Sequence, residues 1–187
     1  MTTVRIWFTK TGEASYISLL DLQRVMQRSI KRSGIPVWYT MGFNPHIYMT
    51  FANPLPLGQE SLVESVDVKT ELEPVSLEDW RQALDRVMPL GIKVTRVTLP
   101  QYKAEKISFA RYLLRMPLNA QASVDAYNQL ESAVIQKKTK RGHKEIDLKQ
   151  ALPRIETEQK ENELQAELLL TAGEGNNLNP SLWLNFM

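Results

Sequence analysis

The chain has no cysteine and only two histidines, His46 and His143, among its 187 residues. The first absence excludes disulfides, thiolate metal sites, a cysteine nucleophile and an iron–sulfur cluster held by the chain's own thiolates. The second leaves little for a metal centre: a site shared by His46 and His143 lacks close acidic partners, and no cofactor is expected. No apolar run approaches 18 residues, so no membrane span and no membrane partner are expected. Met1-Thr2-Thr3-Val4-Arg5 enters a strand pattern directly and does not resemble a signal peptide. Together with the missing cysteine this points to a cytoplasmic location. An excess of one charge is also lacking. The net charge is only +2, so any preference for anions must come from local clusters. There is no P-loop, dinucleotide glycine fingerprint or catalytic serine elbow. Gly173-Glu174-Gly175-Asn176-Asn177 reads as a turn before a helix, not as a phosphate cradle.

What is present suits a globular fold. Hydrophobic residues make up 43% and charged residues 24%, enough for a core with an ordinary surface. The length suits one domain or two small ones. The organising stretch is Tyr39 to Gly58. Gly42-Phe43-Asn44-Pro45 reads as a turn, because glycine tolerates positive φ and proline biases Asn44 away from helix. Ile47, Met49 and Phe51 then alternate with Tyr48 and Thr50, the period of a half-buried strand. Pro54-Leu55-Pro56 ends the strand. The loop presents Asn44 and His46 at a strand mouth.

Around this stretch the elements fall in a recognisable order. Val4, Ile6 and Phe8 alternate with Arg5, Trp7 and Thr9 in a first strand, and Tyr16-Ile17 reads as a short extended piece. Ser18 and Asp21 have capping-box spacing, and Leu19, Leu22, Val25, Met26 and Ile30 form a helical stripe closed by Gly34 and Pro36. Leu62 to Thr70 is a strand. Ser76 and Asp79 cap a second helix with Leu77, Trp80, Leu84, Val87 and Met88 inward, and Ile92 to Leu99 is a strand. The order is βαββαβ, a ferredoxin-like unit. Pro100 to Lys106 is a polar linker. The second half repeats the order: a strand from Ile107 to Arg115, a helix from Ala120 to Gln136, extended segments carrying Ile146, Leu148 and Ile155, a strand from Glu163 to Thr171, and a helix after Asn179-Pro180. First strands start at 4 and 107, late strands at 62 and 163, second helices near 77 and 180. The shifts agree within two residues. The expected fold is therefore α+β with two tandem ferredoxin-like units, 1–100 and 106–187, the second lacking its last strand.

The chemistry rests on charge and aromatics. Lys137 to Lys144 holds five Lys/Arg in eight residues and no acid. The shift of about 101 places this run opposite Pro36 to Phe43, so the two are expected to be equivalent loops flanking one groove. Arg24, Arg28 and Lys31 give the first helix a basic face. Phosphate suits such surfaces, and Trp38, Tyr39, Phe43 and Tyr48 can stack bases. The candidate nucleic-acid contacts are Lys10, Arg24, Arg28, Asn44 and His46 in the first half, and Lys137, Lys138, Lys140, Arg141, His143 and Lys144 in the second. The plain alternative is a solvated turn rich in lysine. His46 is a candidate general base or phosphate ligand, against a histidine satisfied by a backbone carbonyl. Asp21 is a candidate carboxylate nucleophile, against a helix-start role. Asn44 suits a turn. Trp80, Met88 and Trp183 read as core.

Several motifs in order carry a resemblance. Arg5-Ile6-Trp7-Phe8-Thr9-Lys10-Thr11-Gly12-Glu13-Ala14, Tyr16 to Arg24, Gly42-Phe43-Asn44-Pro45-His46, Pro54-Leu55-Pro56-Leu57-Gly58 and Lys144-Glu145-Ile146-Asp147-Leu148 make nearly the whole chain similar to a radical-SAM-linked bacterial family of unknown function. Its members are encoded beside, or fused to, a cobalamin-type radical SAM protein. The resemblance implies a radical SAM partner and, by genomic association alone, work on structured RNA. Its proteins usually continue beyond the last helix. Two departures stand out: Leu19 or Leu20 takes the place of a family histidine before the Leu-Asp pair, and Ile47-Tyr48 follows the Asn-Pro-His element where proline and a basic residue are usual. An activity that used that histidine would be lost or altered here. The expected function is an RNA-binding or RNA-modification accessory domain. The alternatives are a stand-alone RNA-acting enzyme, by fold analogy with pseudouridine synthases or metal-free endoribonucleases, and a protein–protein adaptor.

Overall fold

A computed structural model describes residues 1–139, 142–173 and 177–187. The fold is mixed α+β, and every strand pairing among the described residues is antiparallel. The chain divides into two compact units, Met1–Lys106 and Ile107–Met187.

Unit one runs β1 (Thr2–Lys10), α1 (Leu19–Ser33), β2 (Met49–Phe51), β3 (Ser61–Thr70), α2 (Leu77–Asp85) and β4 (Ile92–Thr98), with the sheet in the order β2-β3-β1-β4. Strand alternation sends Val4, Ile6 and Phe8 of β1 and Val66 and Val68 of β3 into the core, all fully buried. There they meet Leu22, Met26 and Ile30 of α1 and Trp80 and Leu84 of α2. Burying one such side chain contributes about 2 kcal/mol. The Ser18 hydroxyl accepts from the Asp21 N–H at the start of α1. Gly34 ends the helix in the left-handed region at φ 73°. Tyr16 is not extended: Gly12–Tyr16 forms a 3-10 turn. Ser15 Oγ donates to Gly12 O, and Ser15 O accepts from Gly58 N–H, so the turn is pinned on both sides. Gly91 closes against it with φ 81°. A Cβ there would stand 2.5 Å from Thr11 O, which only glycine avoids.

Unit two runs β5 (Phe109–Pro117), α3 (Gln121–Gln129), β6 (Val134–Thr139), β7 (Gly142–Asp147), α4 (Leu148–Ala151), β8 (Glu158–Lys160), β9 (Glu163–Thr171) and α5 (Ser181–Leu184). Its sheet has the order β5-β9-β8, and β6 and β7 form a separate hairpin. Three expectations are corrected. The helix expected to Gln136 stops at Gln129, because the Asp147 carboxylate takes the Ala133 N–H and starts a strand at Val134. The basic run, expected as a loop, is largely paired strand: Lys137 faces Lys144 and Lys138 faces His143 in register. Leu148, expected extended, opens a short helix capped by Asp147, which accepts from Lys149 N–H. Trp183 and Tyr127 stack edge-on at 5.9 Å inside the core. Tyr127 donates to Leu152 O, and Asn128 exchanges two hydrogen bonds with Ile155.

Candidate nucleic-acid interface

The residues of unit one that point away from its core line up in rows across the sheet. The β2–β3, β3–β1 and β1–β4 registers put Thr50, Asp67, Arg5 and Thr98 side by side. One step along the strands, Ser65, Trp7 and Arg96 form a second row. One step the other way, Lys69 stands opposite Thr3, with Tyr48 at the β2 edge. The middle row is held by a bidentate ion pair: Arg5 Nε and Nη2 donate to the two Asp67 oxygens at 2.6 and 2.8 Å. The hydrogen bond to Asp67 raises the guanidinium pKa above its ordinary value, against the cost of burial. Fixed in this way, Arg5 braces one side of Trp7 at 5.7 Å while Arg96 lies over the ring at 4.2 Å. The indole N–H donates to Thr98 Oγ1 at 2.9 Å. On the other flank, Lys69 Nζ stands 4.6 Å from the Tyr48 ring and 5.9 Å from Trp38, and those two rings pack edge-on. Trp7 and Trp38 stay half-exposed, and Arg96 is exposed. Aromatic faces with flexible cations beside them are what unpaired bases and their phosphates require.

The Asn44–His46 turn belongs to a tight hairpin. Tyr39 bridges Ile47, and Thr40 N–H donates to His46 O. His46 Nδ1 lies 3.1 Å from Asn44 O. The same nitrogen lies 3.1 Å from Thr40 Oγ1, which also accepts from the His46 main-chain N–H. His46 is exposed, and the tip residues Met41 and Phe43 are almost wholly in solvent. On α1, Lys31 Nζ stands 5.8 Å from the Tyr39 ring. Arg28, Lys31 and Arg32 line a shallow groove of about 460 Å³ closed by Pro89.

The other expected residues fall in different places. Asp21 serves the helix start: it accepts from Ser18 Oγ at 2.7 Å and from Arg24 at 3.0 Å, and these bonds hold its carboxyl below the ordinary value. His46 lies beyond the end of the sheet where Thr2 pairs with Thr70, and Asp21 near the end where Lys10 pairs with Ser61. The separation is on the order of the length of α1, roughly 20 Å, and no hydrogen bond joins the two among the described residues. Lys10 corrects its expectation. It is 1% exposed, pointing inward with Val4, Ile6 and Phe8, and donates to Ser15 O and Ile17 O. It is unavailable to a phosphate. Burial lowers its pKa and raises that of Glu64, each partly offset by the other's charge. In unit two, Lys137 Nζ donates to Asn177 O, while His143 and Lys144 are exposed on β7. Lys140 and Arg141 lie outside the described residues.

Sequence reasoning passed over Trp7, Asp67, Lys69 and Arg96. The signal was available in one place only: Arg5 and Trp7 occupy the outward phase of β1. The opposing residues depend on three strand registers.

Among the described residues no cluster of His, Asp and Glu is set to hold a metal ion, and no helix is long and apolar enough to cross a membrane. No curated protein matches the chain. Residues 3–180 match the family model described as an uncharacterized protein conserved in bacteria (DUF2344), and the chain belongs to that family.

Proposed function

We propose that the protein binds unpaired RNA on the outer sheet face of unit one and works as an RNA-binding, RNA-modification accessory of a radical SAM partner. The observation that carries this reading is the pair of cation–aromatic sets on one sheet face, Arg96 over Trp7 and Lys69 over Tyr48. Four-stranded sheets of this kind recognise single-stranded RNA by stacking bases on exposed aromatics. Both units are read as ferredoxin-like, the second without its fourth strand. The orders β2-β3-β1-β4 and β5-β9-β8 support this, since the second repeats the first with one edge omitted. The exposed His143 and Lys144 of β7 give unit two phosphate contacts of its own. The radical SAM partner comes from the family resemblance alone.

Fluorescence anisotropy with labelled RNA at low salt tests the reading. Trp7→Ala should weaken binding about tenfold, as the loss of one stacked base requires. Lys137→Glu with Lys144→Glu should weaken it for all sequences alike and flatten its salt dependence. Failure of the wild type to bind RNA at low salt sinks the proposal.

A second reading has its own observation. Among the described residues β5 pairs with β9 on one side and with no strand on the other, and Phe109, Leu113 and Leu169 are exposed on that sheet. An adaptor that receives a strand from the radical SAM partner at this edge would use that geometry. Co-purification of that partner after nuclease treatment, lost on Leu113→Pro, distinguishes it from RNA bridging.

A further inference from the structure

The last turns of α1 carry cations that the sheet-face reading does not use. Arg28, Lys31 and Arg32 line the groove of about 460 Å³ that Pro89 closes, together with Val25 and Ser29. The three cations are i, i+3 and i+4 neighbours, like charges that weaken a bare helix. Helical side chains lean toward the N-terminus, so these gather over the turn of Val25, away from the last carbonyls. No acid lines the groove, and the one acid of α1, Asp21, is taken by Arg24. Arg32 Nη2 donates to Val87 O at 2.5 Å, which ties its guanidinium to the connection after α2. The Ser29 hydroxyl is buried without a hydrogen-bond partner among the described residues. A polar group in that state favours an acceptor entering the groove.

The groove lies on the helix side of unit one, since Leu22, Met26 and Ile30 of α1 pack on the inner sheet face. A line of contacts nevertheless joins it to the outer face. Lys31 lines the groove and holds its Nζ 5.8 Å from the Tyr39 ring. Trp38, the neighbour of Tyr39, donates its main-chain N–H to Lys69 O at 2.7 Å. Its ring packs edge-on against Tyr48, over which Lys69 stands. Cations and aromatics therefore alternate from the sheet face round the β2 edge to α1, the pattern that tracks a single strand. We propose that the groove is a phosphate site, in which Arg28, Lys31 and Arg32 hold a phosphate group of an RNA strand that rounds the β2 edge. The phosphate belongs either to an internal diester or to a strand terminus; both present charged oxygens to the same donors. The proposal rests on the RNA reading of the outer sheet face and extends the bound strand beyond it.

The test uses the full chain with a four-nucleotide and a ten-nucleotide oligouridine, each labelled with fluorescein at its 3′ end, over a range of salt. Two linked contacts on one strand raise affinity by about a hundredfold or more, so the longer strand should bind that much tighter. Arg28→Gln with Lys31→Gln changes two exposed positions and should keep the fold, which a denaturant melt checks. It should leave only the statistical gain that extra registers give any longer strand. The slope of log K against log salt should become shallower by about 0.7 for each phosphate lost from the groove. A 5′-phosphorylated ten-mer that binds more tightly than its 5′-hydroxyl form, in the wild type alone, assigns the groove to a strand terminus. Equal binding of these two forms, with the length gain still lost in the double variant, assigns it to an internal diester. An unchanged length gain and salt slope in the double variant overturns the phosphate site and leaves the RNA reading standing. Binding that Trp7→Ala leaves unchanged and the double variant abolishes keeps the phosphate site and overturns the sheet-face reading. A wild type that binds neither strand overturns both.

Discussion

The two units bury different kinds of residue. Unit one encloses Arg5, Lys10 and Glu64 along with its aliphatic core, whereas no charged residue of unit two is buried among those described. Unit two instead fills its core with Leu164, Leu168, Leu170, Tyr127 and Trp183. Their outward sheet faces differ in the same sense. In unit one the Arg5–Asp67 pair is nearly dry, with side chains 9% and 17% exposed, while the unit two pairs Arg111–Glu167 and Arg115–Glu163 are long and wet. Buried charge is costly unless its geometry is fixed. Unit one accepts that cost where the pair fixes the outward row beside Trp7; unit two keeps its ion pairs in solvent. The comparison teaches that nearly the same strand order can hold a dry ion pair in one place and leave its charges in water in another.

The largest break in this contrast should come from unit two. Trp183→Ala removes a fully buried ring that packs on Tyr127, and is expected to cost about 4 kcal/mol, as for other large-to-small core changes. Hydrogen exchange should show β5 and β9 losing protection while β1 and β3 keep theirs. Equal loss in both units would show that their cores are not independent.

The unit one counterpart is Arg5→Ala. It leaves the Asp67 carboxylate without its charge partner, and is expected to cost about 3 kcal/mol. The figure sits at the lower end for buried pairs because Asp67 keeps some contact with water. The paired change Arg5→Met with Asp67→Leu should recover most of that stability in denaturant melts. It should not recover RNA binding, because the brace beside Trp7 is gone. Recovery of both would mean that the ion pair serves stability alone.

Acid sharpens the comparison, because one carboxyl in each unit responds with the opposite sign. Burial raises the Glu64 pKa above its ordinary 4.5. The folded state therefore holds a proton that the unfolded chain has lost, and Glu64's contribution is full below that value and lost as pH rises through the folded one. Glu64→Gln should raise the melting temperature at pH 7 and leave it unchanged well below pH 4.5. Asp147 behaves in reverse. N–H groups of Ala133 and Lys149 hold its carboxyl below the ordinary 3.8. Its contribution is present above that value and fades as pH falls through the folded one. Asp147→Asn should lower the melting temperature at pH 7 and cease to matter in strong acid.

Most of unit one was legible because its signals are local. Alternation set β1 and β3, the Ser18 cap and Gly34 bounded α1, and Ile92 opened β4. Unit two misled where its signals are distant. Val124, Tyr127, Leu130 and Val134 keep helical spacing, yet the helix ends before the last two, because a carboxylate at 147 claims the N–H at 133. Lys10 looked like surface because its partners are main-chain carbonyls of a turn that no side-chain pattern announces. The outer-face rows were hidden for a related reason. Asp67, Lys69 and Arg96 gain meaning only opposite Arg5, Tyr48 and Trp7, and spacing along one strand carries no register. The turn before His46 was legible from Gly42 and Pro45, whereas the contacts of its ring with Asn44 O and Thr40 Oγ1 needed the hairpin in place.

The smallest expected effects concern how the first helix of each unit begins. Ser18→Ala removes the acceptor for the Asp21 N–H and should cost about 1 kcal/mol. Asp21→Asn keeps a polar group of the same size at an exposed site and should leave the denaturant midpoint nearly unchanged. If that change left stability intact but removed RNA-directed activity from the complete protein, Asp21 would be more than a cap. Unit two lacks this device: Ala120 precedes α3 with φ −68° and ψ −14°, already helical, and no side chain caps it. A capping hydroxyl works from an extended residue, so Ala120→Ser should change stability by less than about 0.5 kcal/mol. A clear gain in a denaturant melt would mean that α3 can start as α1 does, and that the difference between the two helix starts lies in one side chain and not in the backbone.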